Sequence, residues 1–510
     1  MHHTETKQFL RRLVPVLLFV LLVVLGLIGA TKLLERKDSR VKYASFFQEA
    51  EEGHLDILLM GNSHVINGIS PLRLWQTSGY TAYNMGGHGS PMQATYWEYR
   101  LARQYCRPQV VVVDTYMLER DYQYLDEPDD ITDPDTTIEQ LHLNMDAFPL
   151  NRMKKEALED LIHDTDKRES FRLTLRVYHD RWKSLTEEDF RALQKGYIGS
   201  GLMGAEIRTG INRHPAITAD PGSEVTPLQS ETVGTKYLRR IIESCQEDGI
   251  QIILTQVPFN TELADREATY TAQAIAAEYG IPFFVFPQDT VDLMIDENDD
   301  GHLNLMGMIR ATDALGAFLQ QETALVDHRG DTAYDHCYEQ LAGQHQLAIT
   351  NRVMAEESGL LEKLLAAQAM EDQGLVLYIN SGSGLWSDEA ALRLIERLAG
   401  TPAVWEAAAG DTPYLLVREP HADGQGAVNC WEAWGDGSLE DVPSAIGHLY
   451  YYPVEQRFRF LYTAEDMDVN YLYDDAHIDE DVRLFCYGPD GETTPVQYFR
   501  SMGTDYLRVK

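Results

Sequence analysis

The segment ILLMGNSHVINGISP, residues 57–71, decides the fold and raises the question of function. Four apolar residues lead directly into a glycine, and the serine that follows, Ser63, is flanked by Asn62 and His64. A short apolar run that ends in glycine predicts a buried β-strand followed by a tight turn. Either Ser63 simply caps the next element, or the turn presents its hydroxyl to a ligand.

Apolar runs of the same kind recur along the first 325 residues and alternate with stretches of helical periodicity. The predicted strands are residues 55–60, 81–85, 109–114, 250–257 and 282–286, and the predicted helices are residues 90–105, 235–247, 264–279 and 305–321. Strands that are apolar throughout and separated by helices are typical of a parallel sheet covered on both faces. The sequence therefore predicts a doubly wound α/β sandwich over residues 43–325.

A long insertion interrupts this alternation at residues 122–233. It begins with an acidic loop and continues with helical patterns, among them residues 151–164 and 186–195. An insertion of this size between the strands of a compact sheet usually covers a site or binds a partner. We therefore expect a helical lid.

The pattern changes again over residues 326–510. This part contains a predicted helix at 351–371, a predicted strand at 375–380, a second helix at 387–398 and a tyrosine-rich β stretch at 448–462. Mixed elements that do not continue the βα alternation predict a second, C-terminal α+β domain.

Residues 13–30, LVPVLLFVLLVVLGLIGA, contain no charged residue and are long enough for a membrane-spanning helix. A cleaved signal peptide is the alternative, because basic residues precede the run. The run is long for a signal peptide, however, and Ile28 stands where a cleavage site needs a small residue. We expect residues 1–42 to form an N-terminal tail, a single transmembrane anchor and a basic spacer. Five basic residues follow the run and three precede it, so the positive-inside rule leaves the orientation open.

Charge and cysteine content exclude several classes of protein. The chain has 43 basic and 80 acidic residues, a formal net charge of −37, and such a body repels phosphate backbones. Nucleic acid is therefore not an expected partner. The five cysteines are far apart and form no C-x-x-C pair, which excludes a zinc ribbon and a disulfide scaffold. We expect most of them to be small core residues, with one disulfide left open.

Ser63 falls at the carboxyl end of the first predicted strand, which in an open parallel sheet is the edge where ligands bind. A serine hydroxyl is a weak nucleophile at neutral pH and needs a base. The segment DENDDGHLNLMG, residues 296–307, follows the last predicted strand and contains Asp299 three residues before His302. This spacing lets the carboxylate hold one imidazole nitrogen while the other faces Ser63. The sequence predicts a triad of Ser63, His302 and Asp299.

The same acidic segment also suggests a metal site. Asp296, Asn298, Asp300 and Gly301 match the first six positions of a calcium-binding loop. Position twelve of such a loop must be glutamate, and it is Gly307 here. This mismatch excludes calcium, and we expect neither a metal ion nor another cofactor.

Three motifs together resemble the SGNH/GDSL hydrolase superfamily: GNSH at 61–64, NMGG at 84–87 and D-x-x-H-L-N-x-x-G at 299–307. They are most similar to the membrane-anchored members that modify cell-envelope polymers, such as the alginate O-acetylation proteins and the D-alanyl-teichoic-acid transfer protein. The resemblance covers about residues 50–325 and leaves the C-terminal part of the chain outside it.

This resemblance implies an SGNH-type, flavodoxin-like sheet with Ser63 as nucleophile, His302 as base and Asp299 as the group that orients it. It also implies an oxyanion hole formed by the backbone N–H groups of Ser63 and of Gly86 or Gly87, and a catalytic domain on the extracytoplasmic side of the membrane.

One departure from the family pattern concerns the third strand. The superfamily has Gly-x-Asn-Asp after this strand, and the asparagine donates to the oxyanion, whereas this chain has VVVVDTYMLERD. Loss of one such donor typically costs about 10² to 10³ in rate. The candidates to replace it are the amide of Thr115 and the side chain of Asn62. In the predicted lid, His179 and Arg181 are candidates for holding an anionic polymer, and packing around Trp182 is the alternative reading of that segment.

These features predict an ester hydrolase or O-acyltransferase that works through an acyl-serine on cell-envelope polysaccharide or a related acyl ester. A transferase is expected to work beside a multi-spanning membrane acyltransferase. The alternative is a non-catalytic envelope protein that binds polymer through a degenerate SGNH domain, which the missing asparagine favours. A lipase that acts on bilayer lipid ranks lowest, because no apolar lid helix is evident.

Overall fold

The computed structural model describes residues 2–119, 134–195, 201–213, 225–355, 358–420, 429–462, 465–467, 470–473, 480–502 and 505–509. Most of the predicted acidic loop at the start of the insertion lies outside these residues.

The first part of the chain folds as α1 (His2–Leu34), α2 (Asp38–Glu52), β1 (Ile57–Met60), α3 (Ser63–Gly68), α4 (Pro71–Ser78), β2 (Ala82–Asn84), α5 (Met92–Ala102) and β3 (Val110–Asp114). The insertion contains α6 (Pro134–Met145), α7 (Arg152–Leu161), α8 (Thr165–Ser170), α9 (Leu175–Tyr178), a 3₁₀ turn (His179–Lys183) and α10 (Glu187–Lys195). After it come α11 (Val233–Asp248), β4 (Gln251–Thr255), α12 (Leu263–Tyr279), β5 (Phe283–Phe284), α13 (Leu293–Asp296), β6 (Glu297–Asp299), β7 (His302–Leu303) and α14 (Leu305–Glu322).

Strands β1 to β5 form one parallel sheet in the order β2-β1-β3-β4-β5. This confirms the predicted parallel α/β sheet, and the order is one of the two common ones for doubly wound folds. Side chains that alternate along β1 and β3 enter two separate apolar clusters, one on each face of the sheet. The strands are buried on both faces for that reason, which explains why they are apolar without interruption.

The order of the strands also determines where a ligand site is expected. The chain reverses direction of winding between β1 and β3, and the crevice at the carboxyl ends of these two strands is the usual binding site in such sheets. Ser63 follows β1 directly, and Thr115 follows β3.

The described part of the insertion consists of helices α6 to α10 and of two shorter segments, 201–213 and 225–232. Helices α6 to α10 pack against α2, α5 and the end of α1. The segment 201–213 instead runs beside the loop that contains Asp299 and His302, where Asn212 Nδ2 donates to Asp300 Oδ1 at 2.7 Å. Within the described part of the insertion, the segment 201–213 is the one that borders the loop of the predicted triad.

The C-terminal part folds as a π-turn (Asp335–Glu339), α15 (Gln340–Met354), α16 (Leu360–Ala367), β8 (Gly374–Ile379), a 3₁₀ turn (Gly384–Ser387), α17 (Glu389–Ala399), α18 (Ala403–Gly410), β9 (Tyr414–Arg418), β10 (Cys430–Trp434), β11 (Leu439–Ser444), β12 (Gly447–Tyr452), β13 (Arg457–Tyr462), β14 (Glu465–Met467), β15 (Val482–Tyr487), β16 (Gln497–Met502) and β17 (Asp505–Val509). These strands form a six-stranded sheet, β10-β9-β8-β15-β16-β17, and a four-stranded one, β11-β12-β13-β14.

The single helix predicted at 351–371 is wrong, because the chain breaks there into α15 and α16. Lys363 is fully buried and its ammonium donates to Val353 O at 2.9 Å and to Ala355 O. These carbonyls lie at the end of α15 and would otherwise have no partner within the helix. The break is therefore stabilised by a side chain from the next helix.

The two parts of the chain share an apolar cluster and a buried ion pair. Ile295, Leu305 and Met306 pack into the core of the C-terminal part. Arg397 on α17 donates to Asp296 Oδ1 at 2.6 Å, and the carboxylate of Asp296 is completely buried. The C-terminal part thus reaches the loop that contains the predicted base.

All five cysteines are free thiols, and four of them are buried. This agrees with their prediction as core residues and leaves no disulfide.

Candidate active site

The turn after β1 places Ser63 at the first position of α3. Gly61 has φ +145°, and a Cβ on it would come within 2.9 Å of Asp114 Cβ and of Val65 Cγ2. Only glycine fits this close approach of β1 to β3. Asn62 then caps α3, because its Oδ1 accepts the N–H of His64 at 2.9 Å. The turn is thereby held from both sides and directs the hydroxyl of Ser63 out of the sheet edge.

The structure brings the three predicted triad residues together. His302 Nε2 lies 2.9 Å from Ser63 Oγ, and His302 Nδ1 lies 2.7 Å from Asp299 Oδ1. The side chains of His302 and Asp299 retain 27% and 48% of their exposure, so solvent or a substrate can reach them. The residues predicted as nucleophile, base and orienting carboxylate therefore stand in hydrogen-bonding sequence.

The loop that contains Asp299 and His302 is a short hairpin of β6 and β7, fixed by Asn304. This asparagine is fully buried, and its Nδ2 donates to Ile295 O at 2.8 Å and to Gly210 O at 3.1 Å. Its Oδ1 caps α14 by accepting the N–H groups of Met306 and Gly307. One side chain thus joins the loop, the segment 201–213 and the following helix.

Asp299 is ionised in this environment. Burial opposes its charge, but the hydrogen bonds from His302, Asn298 and the N–H of Gly301 outweigh burial and hold the pKa of Asp299 below its ordinary value. A carboxylate in this position favours the tautomer of His302 with its proton on Nδ1, which leaves Nε2 free to accept the proton of Ser63.

His64 forms an aromatic wall beside the base. Its ring stacks on Tyr116 with centroids 3.9 Å apart and meets His302 edge-on at 5.6 Å. Burial, followed by the proximity of His302, lowers the pKa of His64 to about 3. Because His64 is neutral, it does not oppose a positive charge on His302.

The turn after β2 that contains Gly86 and Gly87, here called the glycine turn, does not offer the free N–H groups that the sequence predicts. The N–H of Gly86 donates to Asn84 Oδ1 at 3.1 Å, and the N–H of Gly87 donates to Gly61 O at 2.9 Å. The amide of Thr115, a further predicted donor, is bonded to Thr255 O at 2.9 Å. None of these three N–H groups is free to bind an oxyanion in this arrangement.

Two donors next to the nucleophile remain. The backbone N–H of Ser63 has no acceptor among the described residues. Asn62 is only 1% exposed, and its buried Nδ2 has no hydrogen-bond partner among the described residues either. A buried amide nitrogen without a partner is costly, so its position beside Ser63 requires an explanation.

A buried polar cluster lies beneath the glycine turn. Lys42 on α2 donates to Gly86 O, and Glu98 on α5 accepts from Ser90 Oγ at 3.2 Å. Burial lowers the pKa of Lys42 and raises the pKa of Glu98, and the attraction between the two groups opposes both shifts. Helix α2, which follows α1, thereby contacts the glycine turn directly.

His179 and Arg181 lie elsewhere. Arg181 donates to Leu34 O at 2.9 Å and to Glu35 O at 2.6 Å, and His179 Nδ1 is paired with Arg176 O. Both therefore sit at the end of α1, and neither bonds to a residue of the triad.

The sequence alone did not point to three residues that support the site: Lys42, Asn304 and Arg397. Asn304 belongs to the D-x-x-H-L-N motif and could have been recognised as a cap before a helix. Lys42 and Arg397 reach the site from distant parts of the chain, and no local pattern marks them.

Comparison with known proteins adds no assignment. The chain matches no protein-family model, and no curated protein matches it.

Proposed function

We propose that this protein is an SGNH-type serine esterase or O-acyltransferase acting on an acylated cell-envelope polysaccharide or a related acyl ester. The observation that supports this best is the chain of contacts from Asp299 through His302 to Ser63, at 2.7 and 2.9 Å. Geometry of this kind is what an activated serine nucleophile needs.

The reaction proceeds in two steps. His302 Nε2 takes the proton of Ser63 as its oxygen attacks the ester carbonyl, and a tetrahedral oxyanion forms. His302 then returns the proton to the leaving alcohol, and the acyl group stays on Ser63. Water, or a sugar hydroxyl deprotonated by the same imidazole, attacks the acyl-serine and releases the product. Asp299 stabilises the imidazolium in both steps.

The oxyanion is held by the N–H of Ser63 and by Nδ2 of Asn62. Asn62 would thus supply the donor that the family takes from the third strand and that this chain lacks. The amide nitrogen is covered in the present arrangement, so neighbouring side chains must move slightly to admit the substrate oxygen. That movement would satisfy a donor that is otherwise buried without a partner.

A cavity of about 710 Å³ lies at the carboxyl ends of β4 and β5, the same edge of the sheet as the triad. Its lining includes Phe259, Tyr270 and Phe286 together with Gln256 and polar neighbours. Phe259 also packs edge-on against His64, with the two ring centroids 4.5 Å apart. An aromatic cavity with a few polar groups, connected to the neighbourhood of the triad through Phe259 and His64, suits a sugar ring of the substrate, because aromatic faces pack on sugar C–H surfaces.

The structure contains one described helix long and apolar enough to span a membrane, with the apolar segment Leu13–Leu34. We favour an uncleaved anchor over a signal peptide because the apolar segment is 22 residues long, which exceeds the usual apolar core of a signal peptide. The folded part of the chain contacts the end of α1. Arg181 caps the carbonyls of Leu34 and Glu35, and Lys37 pairs with Asp189 at 3.5 Å. The catalytic domain would then lie on the extracytoplasmic side, close to the bilayer and to a multi-spanning acyltransferase partner.

Labelling with a fluorophosphonate probe tests the proposal, since only an activated serine reacts. We expect the full-length protein in detergent to be labelled and to hydrolyse an aryl acetate, and S63A to lose both. S387A, which removes an exposed serine of the C-terminal part, is the control and should behave as wild type. Equal labelling of wild type and S63A would refute the role of Ser63.

The alternative, a non-catalytic envelope protein that binds polymer, is favoured by one observation: the N–H groups of Gly86 and Gly87 are already bonded. Absence of labelling, combined with retention of polysaccharide on the immobilised protein, would support it.

Addition of a sugar acceptor to the esterase assay separates transfer from hydrolysis, because a transferase forms the acylated sugar at the expense of free acid.

A further inference from the structure

A cluster of metal-ligating side chains lies at the edge of the sheet opposite to Ser63. It consists of Glu49 and His54, which flank the end of α2, and of His336 and Cys337 in the π-turn before α15. One donor atom from each residue lies within 4.8 Å of the donor atoms of the other three. Two segments far apart in the sequence thus bring four ligands to one point.

Both segments are fixed by contacts other than the four donor atoms. Helix α2 ends at Gly53 with φ 79°, and the N–H of His54 returns to Glu49 O at 2.9 Å, which folds the imidazole back onto the carboxylate. On the other side, Tyr338 donates through its hydroxyl to Ala82 O at 2.9 Å and is fully buried. The backbone of each segment is therefore held in place on its own side of the cluster.

We propose that Glu49, His54, His336 and Cys337 bind a Zn²⁺ ion. A thiolate, two imidazoles and one carboxylate are a donor set that suits zinc in four-fold coordination, whereas calcium and magnesium require oxygen ligands. Separations of up to 4.8 Å exceed those of a closed tetrahedral site, so the ligands must move inward by a fraction of an ångström to a little over one. The half-exposed side chain of His336 has the freedom to do so.

The charged groups of the cluster suit a divalent cation. Glu49 is almost fully buried and lies 2.8 Å from His54 Nδ1, and Glu52 Oε2 lies 3.3 Å from the same nitrogen and 3.5 Å from His336 Nε2. A divalent cation would balance the negative charge of Glu49 and stabilise the thiolate of Cys337 directly. Glu52 adds a further negative charge beside both imidazoles.

A zinc ion here would join the helix that follows the membrane anchor to the first helix of the C-terminal part. This role is structural and separate from the ester chemistry, because the cluster lies at the far end of β1 from Ser63.

Competition between the protein and a chromophoric zinc chelator tests the site. Full-length protein in detergent, purified through a histidine-free tag and stripped with EDTA, should bind one equivalent of Zn²⁺ with a Kd on the order of 10⁻⁷ M or below. We expect C337S and H336Q each to weaken binding at least about tenfold. H336Q changes a half-exposed side chain, so its result does not depend on tolerance of the core.

The matched control is C430S. Cys430 also donates its thiol to a backbone carbonyl, Leu398 O at 3.3 Å, but it lies outside the cluster. With Co²⁺ in place of Zn²⁺, wild type and C430S should show the near-ultraviolet absorption of a thiolate–cobalt bond, and C337S should not. Absence of tight binding, or equal binding by wild type, C337S and H336Q, would overturn the proposal. S63A should bind zinc as wild type does, which keeps this test independent of the proposed reaction.

Discussion

The two loops that meet at Ser63 are built in different ways. The loop with Asp299 and His302 presents side chains, and each of them is bonded to the next member of the triad. The glycine turn presents backbone amides, and those of Gly86 and Gly87 are already bonded within the protein. A side chain at the end of a strand can be placed from sequence, whereas the availability of an N–H group depends on every acceptor around it.

The largest effect should come from breaking the triad loop at Asp299. D299N keeps the shape of the side chain but removes its charge and favours the wrong tautomer of His302, which in triads of this type costs about 10⁴ in kcat. The measurement is steady-state hydrolysis of an aryl acetate. D300N is the matched control, because Asp300 bonds to Asn212 and is not a partner of His302. Similar losses in the two variants would show that loop charge matters and the Asp299–His302 contact does not.

The glycine side of the comparison is tested at Asn62. N62D keeps the oxygen that caps α3 and replaces the Nδ2 donor by a negatively charged oxygen, whereas N62A removes both cap and donor. If Nδ2 holds the oxyanion, N62D should lower kcat by about 10² to 10³. The loss should appear in kcat more than in KM, because the contact forms in the transition state. A fully active N62D with an impaired N62A would assign Asn62 to capping alone.

The triad loop has a support that the glycine turn lacks, the ion pair from the C-terminal part. R397M removes the closer of the two charge partners of the buried carboxylate of Asp296 and leaves only Arg310 at 3.9 Å. This should cost up to about 3 kcal/mol of stability and lower kcat about tenfold by loosening the loop. R393M is the control, since Arg393 pairs with the partly exposed Asp292. Thermal unfolding and hydrolysis, measured on both variants, should separate them. Equal behaviour of R397M and R393M would contradict a positioning role for Arg397.

Much of the sheet could be predicted because burial on both faces makes each strand a continuous apolar run. The runs at 55–60 and 109–114 contain β1 and β3 within two residues at each end. The triad could be predicted for a related reason, since parallel strands end at one edge and their following loops must meet there. The break between α15 and α16 could not, because it depends on Lys363 reaching carbonyls in another helix.

The unpredicted parts share one physical cause. Lys42, Arg397 and the cluster around Cys337 act through contacts between segments that are distant in the chain. The engaged amides of the glycine turn have the same origin, since the acceptor for Gly87 is Gly61 in the nucleophile turn. Local patterns determine strands and caps, but such contacts exist only once the elements have packed.

The smallest effect on activity is expected at Asp114, which lies beneath both loops. Its carboxylate accepts from Val257 N at 2.8 Å and Tyr116 N at 3.4 Å, and burial, opposed by these bonds, raises its pKa to about 7. In the unfolded chain an aspartate has a pKa of about 3.9. Between these values the folded protein keeps a proton that the unfolded chain releases, so stability falls as pH rises from about 4 to about 7 and then levels off.

D114N removes this contribution while preserving the shape of the side chain. The stability of wild type relative to D114N should therefore decline across that pH range, by up to a few kcal/mol, as measured by thermal unfolding in detergent. Glu297, whose pKa burial also raises to about 7, is present in both proteins and cancels in the difference. Activity at fixed pH should change less than tenfold, because Asp114 supports the floor of the site and contacts neither His302 nor the glycine amides. If the difference in stability between wild type and D114N does not vary with pH, Asp114 is ionised in the folded protein. The N–H groups of Val257 and Tyr116 alone would then have to offset the burial of its charge.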